Sequence, residues 1–287
     1  MEHTLVVDSH VHFWDPAALR YPWLEKMPVL ERAFLPPDYF LSGADAPDAV
    51  VFVEANCSTS ENMAEVRFVR RLANVEPRIA GVVAYVDMLD ERTRSDALGR
   101  LAAISSVVGI RHNIQGNAPG FCTSAAFVRG VQEVGHHALV FDLCATADQL
   151  SDVNELVGHC AGTQFVLDHC GKPAIRHDAF GPWSHDIMQL AAHLNVSCKL
   201  SGLLTEARSD QWGDDALRPY AQHVLECFGH HRLLFGSDWP VMTMAGSATA
   251  WRAFTDRFSA SWAPADRQRF YADNAIRLYG LELHAHS

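Results

Sequence analysis

The chain alternates short apolar segments with longer segments of helical periodicity. Eight β-branched apolar runs are bounded by turn residues, and each is followed by a stretch whose apolar positions recur with helical spacing. The runs begin near Leu5, Ala49, Ile79, Val107, Ala138, Thr163, Val196 and Leu233. Their starts are 25 to 44 residues apart, which leaves room each time for a strand, a helix and two loops. Eight such units predict an α/β fold, a (β/α)8 TIM-type barrel.

The segment after the first run argues against an open, doubly wound sheet. Such a sheet usually carries a glycine-rich phosphate loop there, whereas this chain reads HVHFWDP. No linker rich in Gly, Ser or Pro divides the 287 residues. We therefore expect a single barrel domain over residues 1–287. Its longest insertion, 14–48, is rich in Pro and aromatic residues and is expected to fold over the barrel mouth.

Composition narrows the kind of partner. A formal charge of −11 disfavours nucleic acid and anionic membranes, because both need a basic face. The first apolar run is cut short by Asp8 and His10, so we expect neither a signal peptide nor a membrane span. Seven cysteines without a CxxC pair indicate reduced core thiols. These features predict a cytoplasmic protein without a nucleic-acid or membrane partner. We expect its partner to be a small molecule, and a monomer and a homodimer are both left open.

Nearly every apolar run ends in polar residues. The polar residues at these ends are His10, His12, Glu54, Asp87, Arg111, His112, Asn113, Asp142, His169, Lys199, Ser201 and Asp238. In a (β/α)8 barrel the active site lies at the carboxyl ends of the strands, so we expect these side chains to converge. The competing explanation is that strands often end in polar residues because loops begin there.

The first polar pair has the spacing of metal ligands. His10 and His12, two apart on a strand, are expected to point to the same side, where both imidazoles can bind one ion. His284 and His286 have the same spacing in the polar tail, where we expect no function, so the spacing alone is weak. A packed core pair is the alternative for His10 and His12. Their place at a strand end favours a site.

Two further residues are candidates for proton transfer. Asp238, in FGSDWPV, can take a proton from water, or alternatively cap the following helix. His169, in VLDHCGKP, can be a metal ligand, a general acid or a donor to a carbonyl oxygen, or alternatively a core histidine. Asp168 has the opposite parity along the strand and is expected only to support its neighbours.

Cations and aromatic residues near these motifs have two possible roles. Arg111 and Lys199 would be desolvated inside a barrel, so each needs a substrate oxygen or a partner carboxylate such as Asp142 or Asp87. The tryptophans near the motifs can stack on a ring-shaped substrate or pack in the core. They are Trp14, Trp23 and Trp239.

Six segments taken together carry a family resemblance. VDSHVHFWDP, RYPWL, GIRH, VLDHCGKP, CKLSGL and FGSDWPV resemble the amidohydrolase-2 group of the amidohydrolase superfamily, and are most similar to its sugar-lactonase branch. The resemblance implies a barrel that hydrolyses sugar-acid lactones, with Asp238 activating water. It implies that His10, His12 and His169 line the site, and that Arg111 with His112 holds or polarises the substrate.

The sequence departs from metal-rich members of the superfamily. Its fifth run ends in Asp142 where those members place a histidine, and its fourth offers Arg111 instead of a bridging lysine or glutamate. We therefore expect no two-metal centre. One divalent ion, zinc, held by His10, His12 and Asp238 with Glu54, and a metal-free site are both left open.

These expectations define one mechanism and two alternatives. Asp238 deprotonates water, while Arg111, a histidine or an ion stabilises the oxyanion, and His169 or Lys199 protonates the leaving oxygen. Substrate contacts are expected from Arg111, His112, Lys199, Trp14 and Trp239. A metal-dependent decarboxylase on the same barrel is the first alternative. A non-catalytic sugar-acid binding protein is the second. The chain has no GxSxG motif that would favour a serine nucleophile.

Overall fold

Eight parallel strands form the centre of the molecule, as expected from the eight apolar runs. The computed structural model describes residues 4–41, 46–207 and 213–283. The strands are β1 (Val7–Val11), β2 (Ala49–Val53), β3 (Ile79–Tyr85), β4 (Val107–Arg111), β5 (Val140–Leu143), β6 (Gln164–Leu167), β7 (Val196–Leu200) and β8 (Leu233–Phe235). They pair in chain order from β1 to β8. The prediction of a (β/α)8 barrel is confirmed.

The barrel closes where the last strand returns to the first. The His12 backbone N–H donates to the Trp239 carbonyl at 2.8 Å, and the Asp238 N–H donates to the His10 carbonyl at 2.9 Å. A parallel bridge between Val11 and Trp239 lies at the same place. Closure therefore brings the residues that follow β8 directly beside the end of β1.

Helices surround the strands. They are α1 (Pro36–Phe40), α2 (Asn62–Ala73), α3 (Arg94–Ala102), α4 (Ala125–His136), α5 (Leu150–His159), α6 (Phe180–Ala191), α7 (Leu203–Glu206), α8 (Asp214–Phe228), α9 (Ala248–Phe258), α10 (Pro264–Gln268) and α11 (Asn274–Tyr279). No helix among the described residues is long and apolar enough to span a membrane. His284 and His286 lie outside the described residues.

Alternation along the strands divides the core into two layers. In β2, Val51 and Val53 belong to the inner cluster, whereas Val50 and Phe52 belong to the larger cluster that packs under the helices. Tyr279, at the end of α11, joins the inner cluster. Because neighbouring side chains on a strand point to opposite faces, each strand end presents one residue inward and the next outward.

Candidate active site

His10 and His12 point into the same space at the end of β1. Their Nε2 atoms are 3.2 Å apart. The Nδ1 atom of His12 is 2.7 Å from the Val53 carbonyl oxygen, which can only accept, so Nδ1 carries the proton and Nε2 has a free lone pair. Burial lowers the pKa of His10 well below its ordinary value, so this ring stays neutral. The pair therefore offers acceptor nitrogens at one point.

Asp238 follows β8 and faces both histidines. It adopts a left-handed backbone conformation, with φ of 63°. Its Oδ1 atom is 3.5 Å from His12 Nε2 and 3.8 Å from His10 Nε2. Burial opposes its ionisation, but the adjacent His169 and His12 offset this, so the pKa of the Asp238 carboxyl lies below its ordinary value. Asp238 is a carboxylate at neutral pH.

His169 reaches the same carboxylate from the end of β6. Its Nε2 atom is 3.8 Å from Asp238 Oδ1, and its Nδ1 atom is 2.9 Å from Ser201 Oγ. Burial lowers the pKa of His169 well below its ordinary value, so the ring is neutral. Gly202 permits this approach, because a Cβ there would lie 2.7 Å from the His169 Cβ. We call His10, His12, His169 and Asp238 the histidine–aspartate cluster.

A second group of charged residues lies next to this cluster and is almost completely buried. We call it the charge network; it consists of Glu54, Arg111, Asp142, Asp168 and Lys199. Lys199 Nζ is 2.5 Å from Asp142 Oδ2 and 3.0 Å from Asp168 Oδ1. Tyr279 donates its hydroxyl proton to Asp142 at 3.0 Å. Each charge of the network has a partner of opposite charge.

Arg111 and Glu54 belong to the same network. Arg111 Nε donates to Glu54 Oε1 at 2.7 Å, and Arg111 Nη1 is 3.4 Å from Asp168 Oδ2. The other Glu54 oxygen accepts from the Asn56 backbone N–H at 2.7 Å. The group of close metal-ligating atoms formed by His10, His12 and Asp238 does not include Glu54. Glu54 thus faces Arg111 in this structure, away from its predicted place as a ligand.

Asp168 connects the two groups. Its Oδ1 atom is 3.2 Å from His10 Nδ1, and the same carboxylate contacts Lys199 and Arg111. Neighbouring cations, with Lys199 first, overcome the effect of burial and hold the pKa of Asp168 well below its ordinary value. Strand parity suggested only a supporting role for Asp168. Its contact with a predicted metal ligand gives it a direct influence on the site.

A cavity of about 570 Å³ opens above the histidine–aspartate cluster. Of the predicted site residues, those that line it are His12, Trp14, Arg111, His169 and Asp238. Trp14, Trp23 and Met27, from the insertion after β1, form part of its lining. Asn113, Gln115, Lys172 and Glu206 also line it. The sequence patterns gave no role to the last three, because Gln115 and Lys172 lie in loops and Glu206 ends α7, all beyond the strand ends.

Three residues predicted to contact substrate lie elsewhere. Lys199 is completely buried in the charge network. His112 points away from the barrel interior, where its Nδ1 accepts from the Met88 N–H at 3.0 Å. Trp239 stacks on Tyr39 with ring centroids 4.9 Å apart. None of the three is among the residues that line the cavity.

The histidine–aspartate cluster has a donor set that suits zinc. Two imidazole nitrogens and one carboxylate oxygen, from His10, His12 and Asp238, lie within 4.8 Å of one another. Catalytic zinc sites typically use three such ligands and keep a position for water or substrate. The contact of His10 Nδ1 with the Asp168 carboxylate is the type that orients a ligating imidazole. The residues present therefore fit one ion.

Comparison with known proteins defines the class. The Amidohydro_2 family, described as amidohydrolase, matches residues 7–281, and the chain belongs to this family. An L-fucono-1,5-lactonase from Burkholderia multivorans is 35% identical, over 96% of this chain and 96% of that protein. A second L-fucono-1,5-lactonase, from Burkholderia ambifaria, is 31% identical, over 97% of each chain.

Solved structures have the same fold, and one of them contains bound zinc. An amidohydrolase from Burkholderia multivorans with bound zinc superimposes with a TM-score of 0.86 at 34% identity, covering 97% of this chain and 100% of that one. A 2,6-dihydroxybenzoate decarboxylase from Rhizobium has a TM-score of 0.64 at 14% identity, over 98% of this chain and 99% of the other. At that identity the second likeness concerns the fold alone.

Proposed function

We propose that this protein hydrolyses a sugar-acid lactone, of the L-fucono-1,5-lactone class, to the free acid. The observation that carries the proposal is the position of the Asp238 carboxyl group, which lies 3.5 Å from His12 Nε2 and lines the cavity together with His12 and His169. A carboxylate of this kind is suited to remove a proton from water. The two L-fucono-1,5-lactonases related over nearly the whole chain support the choice of substrate class.

Charge balance in the cavity supports a neutral, hydroxylated substrate. Of the two cations among the described residues that line the cavity, Arg111 is paired with Glu54 and Asp168, whereas Lys172 contacts the neutral Gln115; the Glu206 carboxylate lies in the same lining. Neutral hydrogen-bonding side chains occupy much of the remaining lining, including Asn56, Asn113 and Gln115. Amide side chains both donate and accept, as sugar hydroxyls require. A dianionic substrate would need more free cations than this lining provides.

The residues define a sequence of proton movements. Asp238 accepts a proton from water as the water oxygen bonds to the lactone carbonyl carbon. Arg111 has five N–H donors, and three are used by Glu54 and Asp168, so two remain for the carbonyl oxygen. The bond from the carbonyl carbon to the ring oxygen then breaks. The proton held by Asp238 then passes to the ring oxygen, directly or through His169. The Nε2 atom of His169 is 3.8 Å from Asp238 Oδ1.

The metal site fits the same chemistry. His10, His12 and Asp238 would hold zinc, and a bound ion supplies Lewis-acid charge that polarises the carbonyl. His12 keeps its Nε2 lone pair directed at the site through its bond to Val53, and His10 is oriented by Asp168. The proposal includes action in the cytoplasm, where the seven free cysteines stay reduced, as a monomer or homodimer.

A proton-release screen tests the proposal. L-Fucono-1,5-lactone and L-rhamnonolactones are offered to the native and the chelator-treated protein, together with a dicarboxylated pyrone lactone as the anionic comparison. We expect turnover of at least one sugar lactone and none of the dicarboxylate. Carbon dioxide release from hydroxybenzoates is measured in parallel. Decarboxylation without lactone hydrolysis, or binding without any turnover, would reject the proposal.

A further inference from the structure

We propose that Lys172 is an additional substrate-contacting residue, whose ammonium group stabilises the negative charge that develops when the lactone opens and that remains on the acid product. This inference rests on the proposed lactone hydrolysis and extends it to a residue outside the histidine–aspartate cluster. Lys172 lies in the loop after β6 and lines the cavity together with His169 and Asp238.

Among the described residues, one lysine and one arginine line the cavity, Lys172 and Arg111, and they have different partners. Arg111 contacts two carboxylates, those of Glu54 and Asp168. Lys172 Nζ donates to the neutral side-chain oxygen of Gln115 at 2.5 Å. No carboxylate of the described residues lies within ion-pair distance, 4.0 Å, of Lys172. Glu206 and Asp238, which line the same cavity, interact with Lys172 only beyond this distance, so its ammonium group forms no direct ion pair and can contact an anion in the cavity.

The backbone holds Lys172 in place at a conformational cost. Four successive residues are left-handed, with φ of 53° at His169, 54° at Cys170, 67° at Gly171 and 46° at Lys172. Each non-glycine residue in this region costs about 1–2 kcal/mol. The Lys172 N–H donates to the His169 carbonyl at 2.9 Å, and Trp183 Nε1 donates to the Cys170 carbonyl at 2.8 Å. The surrounding structure thus enforces an unfavourable turn.

The strained turn places two side chains of the cavity lining on the same side. In a turn of about three residues, side chains at positions i and i+3 lie on the same side. His169 and Lys172 have this spacing, and both line the cavity. The turn therefore presents the imidazole and the ammonium together to one ligand. Strained backbone that is held by its surroundings is often found at functional sites.

The chemistry of lactone opening matches a free cation. The substrate is neutral, whereas the tetrahedral species and the carboxylate product carry a negative charge. Lys172 and Asp238 line the same cavity, so a ligand that meets the carboxylate also lies near the ammonium group. A cation here binds the charged states more strongly than the neutral substrate, and only such differential binding raises kcat.

The test compares Lys172→Met, which keeps the length of the side chain, with Lys172→Arg, which keeps its charge. We expect Lys172→Met to lower kcat about 100-fold, as loss of one oxyanion donor does, with KM changed less than about 3-fold. The inhibition constant of the aldonate product should rise about 10-fold, and binding of the neutral lactam analogue should not change. Lys172→Arg should restore most of both losses.

Arg176→Met is the matched control. Arg176 is a nearby cation that donates to the Thr205 carbonyl at 2.6 Å and does not line the cavity. We expect this variant to behave like the wild type. An equal loss in Arg176→Met would show that general surface charge, and not the position of Lys172, produces the effect.

Calorimetric binding separates the possible failures. If the wild type hydrolyses a lactone and Lys172→Met keeps its kcat and its aldonate affinity, the inference is wrong and the proposed function stands. Equal weakening of aldonate and lactam by Lys172→Met indicates a structural role and also overturns it. If the wild type hydrolyses no lactone, the proposed function fails. In that case the inference is also rejected if the wild type does not bind the aldonate, or if Lys172→Met binds it as tightly as the wild type does.

Discussion

The histidine–aspartate cluster and the charge network are neighbours at the same end of the barrel, yet their polar groups are used differently. In the cluster, His12 and Asp238 direct acceptor atoms into a cavity. In the network, Lys199 and Asp142 satisfy each other in the interior, with no exposed surface. The same pattern of polar residues at strand ends therefore produces groups that face a cavity in one place and closed ion pairs in the other.

The two regions show how buried charges can support a site at the end of a barrel. Buried ion pairs are costly to form, because desolvation opposes the Coulombic attraction. This network contacts the cluster at His10, whose Nδ1 atom is 3.2 Å from Asp168 Oδ1 and 3.2 Å from Lys199 Nζ, and the Asp168 carboxylate also contacts Lys199 and Arg111. The network is thus suited to orient the cluster. We expect substitutions in the cluster to reduce activity and substitutions in the network to reduce stability, except at Asp168, which contacts His10 and should also affect the cluster.

The largest expected effect is on turnover in Asp238→Asn. The amide cannot accept a proton from water, so we expect kcat to fall about 1,000-fold, within the range for loss of a general base. Urea unfolding should show a midpoint close to that of the wild type. A variant that keeps more than a tenth of the wild-type kcat would show that Asp238 is not the base.

The next largest effect is expected on the free energy of unfolding of the Lys199→Met variant. Removing the ammonium leaves Asp142 and Asp168 buried with fewer partners, and breaking a buried pair in this way costs about 3–5 kcal/mol of unfolding free energy. Chemical denaturation measures the loss. Arg257→Met, which removes an exposed partner of Asp214, is the comparison and should change little. Equal midpoints for Lys199→Met and the wild type would remove the distinction between the two regions.

The smallest effect is on metal affinity in Asp168→Asn. The amide can donate to His10 Nδ1, which moves the imidazole proton to Nε2 and removes the lone pair that faces the metal site. We expect zinc to bind about 10- to 100-fold more weakly, as for other outer-shell substitutions. Competition with a chromophoric chelator measures the affinity.

Asp142→Asn is the matched control for that measurement. Asp142 contacts Lys199 and Tyr279, and no direct contact links it to His10. Zinc affinity should therefore stay near the wild-type value in this variant. Equal weakening by the two substitutions would mean that the network acts on the site as a whole and not through the Asp168 carboxylate.

Local patterns were sufficient for the barrel and for part of the site. The period of two along a strand places His10 and His12 on one side, and their Nε2 atoms are 3.2 Å apart. The same period means that Arg111 and His112 cannot both face inward, and it is His112 that lies outside the cavity lining. Strand parity predicts from the sequence that one of the two faces outward, and the structure shows that it is His112.

The choice of partners depended on the tertiary structure. Glu54 with Arg111, Arg111 with Asp168, and Asp142 with Lys199 are each separated by 57 residues in the chain. No local pattern specifies which carboxylate meets which cation at that separation. From the sequence, Arg111 and Lys199 could each contact either the substrate or a partner carboxylate, and Glu54 was predicted to be a metal ligand. Closure of the barrel decided these contacts.

Apolar periodicity and strand parity are local properties of the chain, so the eight strands and the common side of His10 and His12 could be predicted from the sequence. The folded barrel decided which charged groups pair and which line the cavity, and it places Lys172 in a left-handed turn beside His169. These choices need the tertiary structure, because the availability of a charge depends on the distance to its partners.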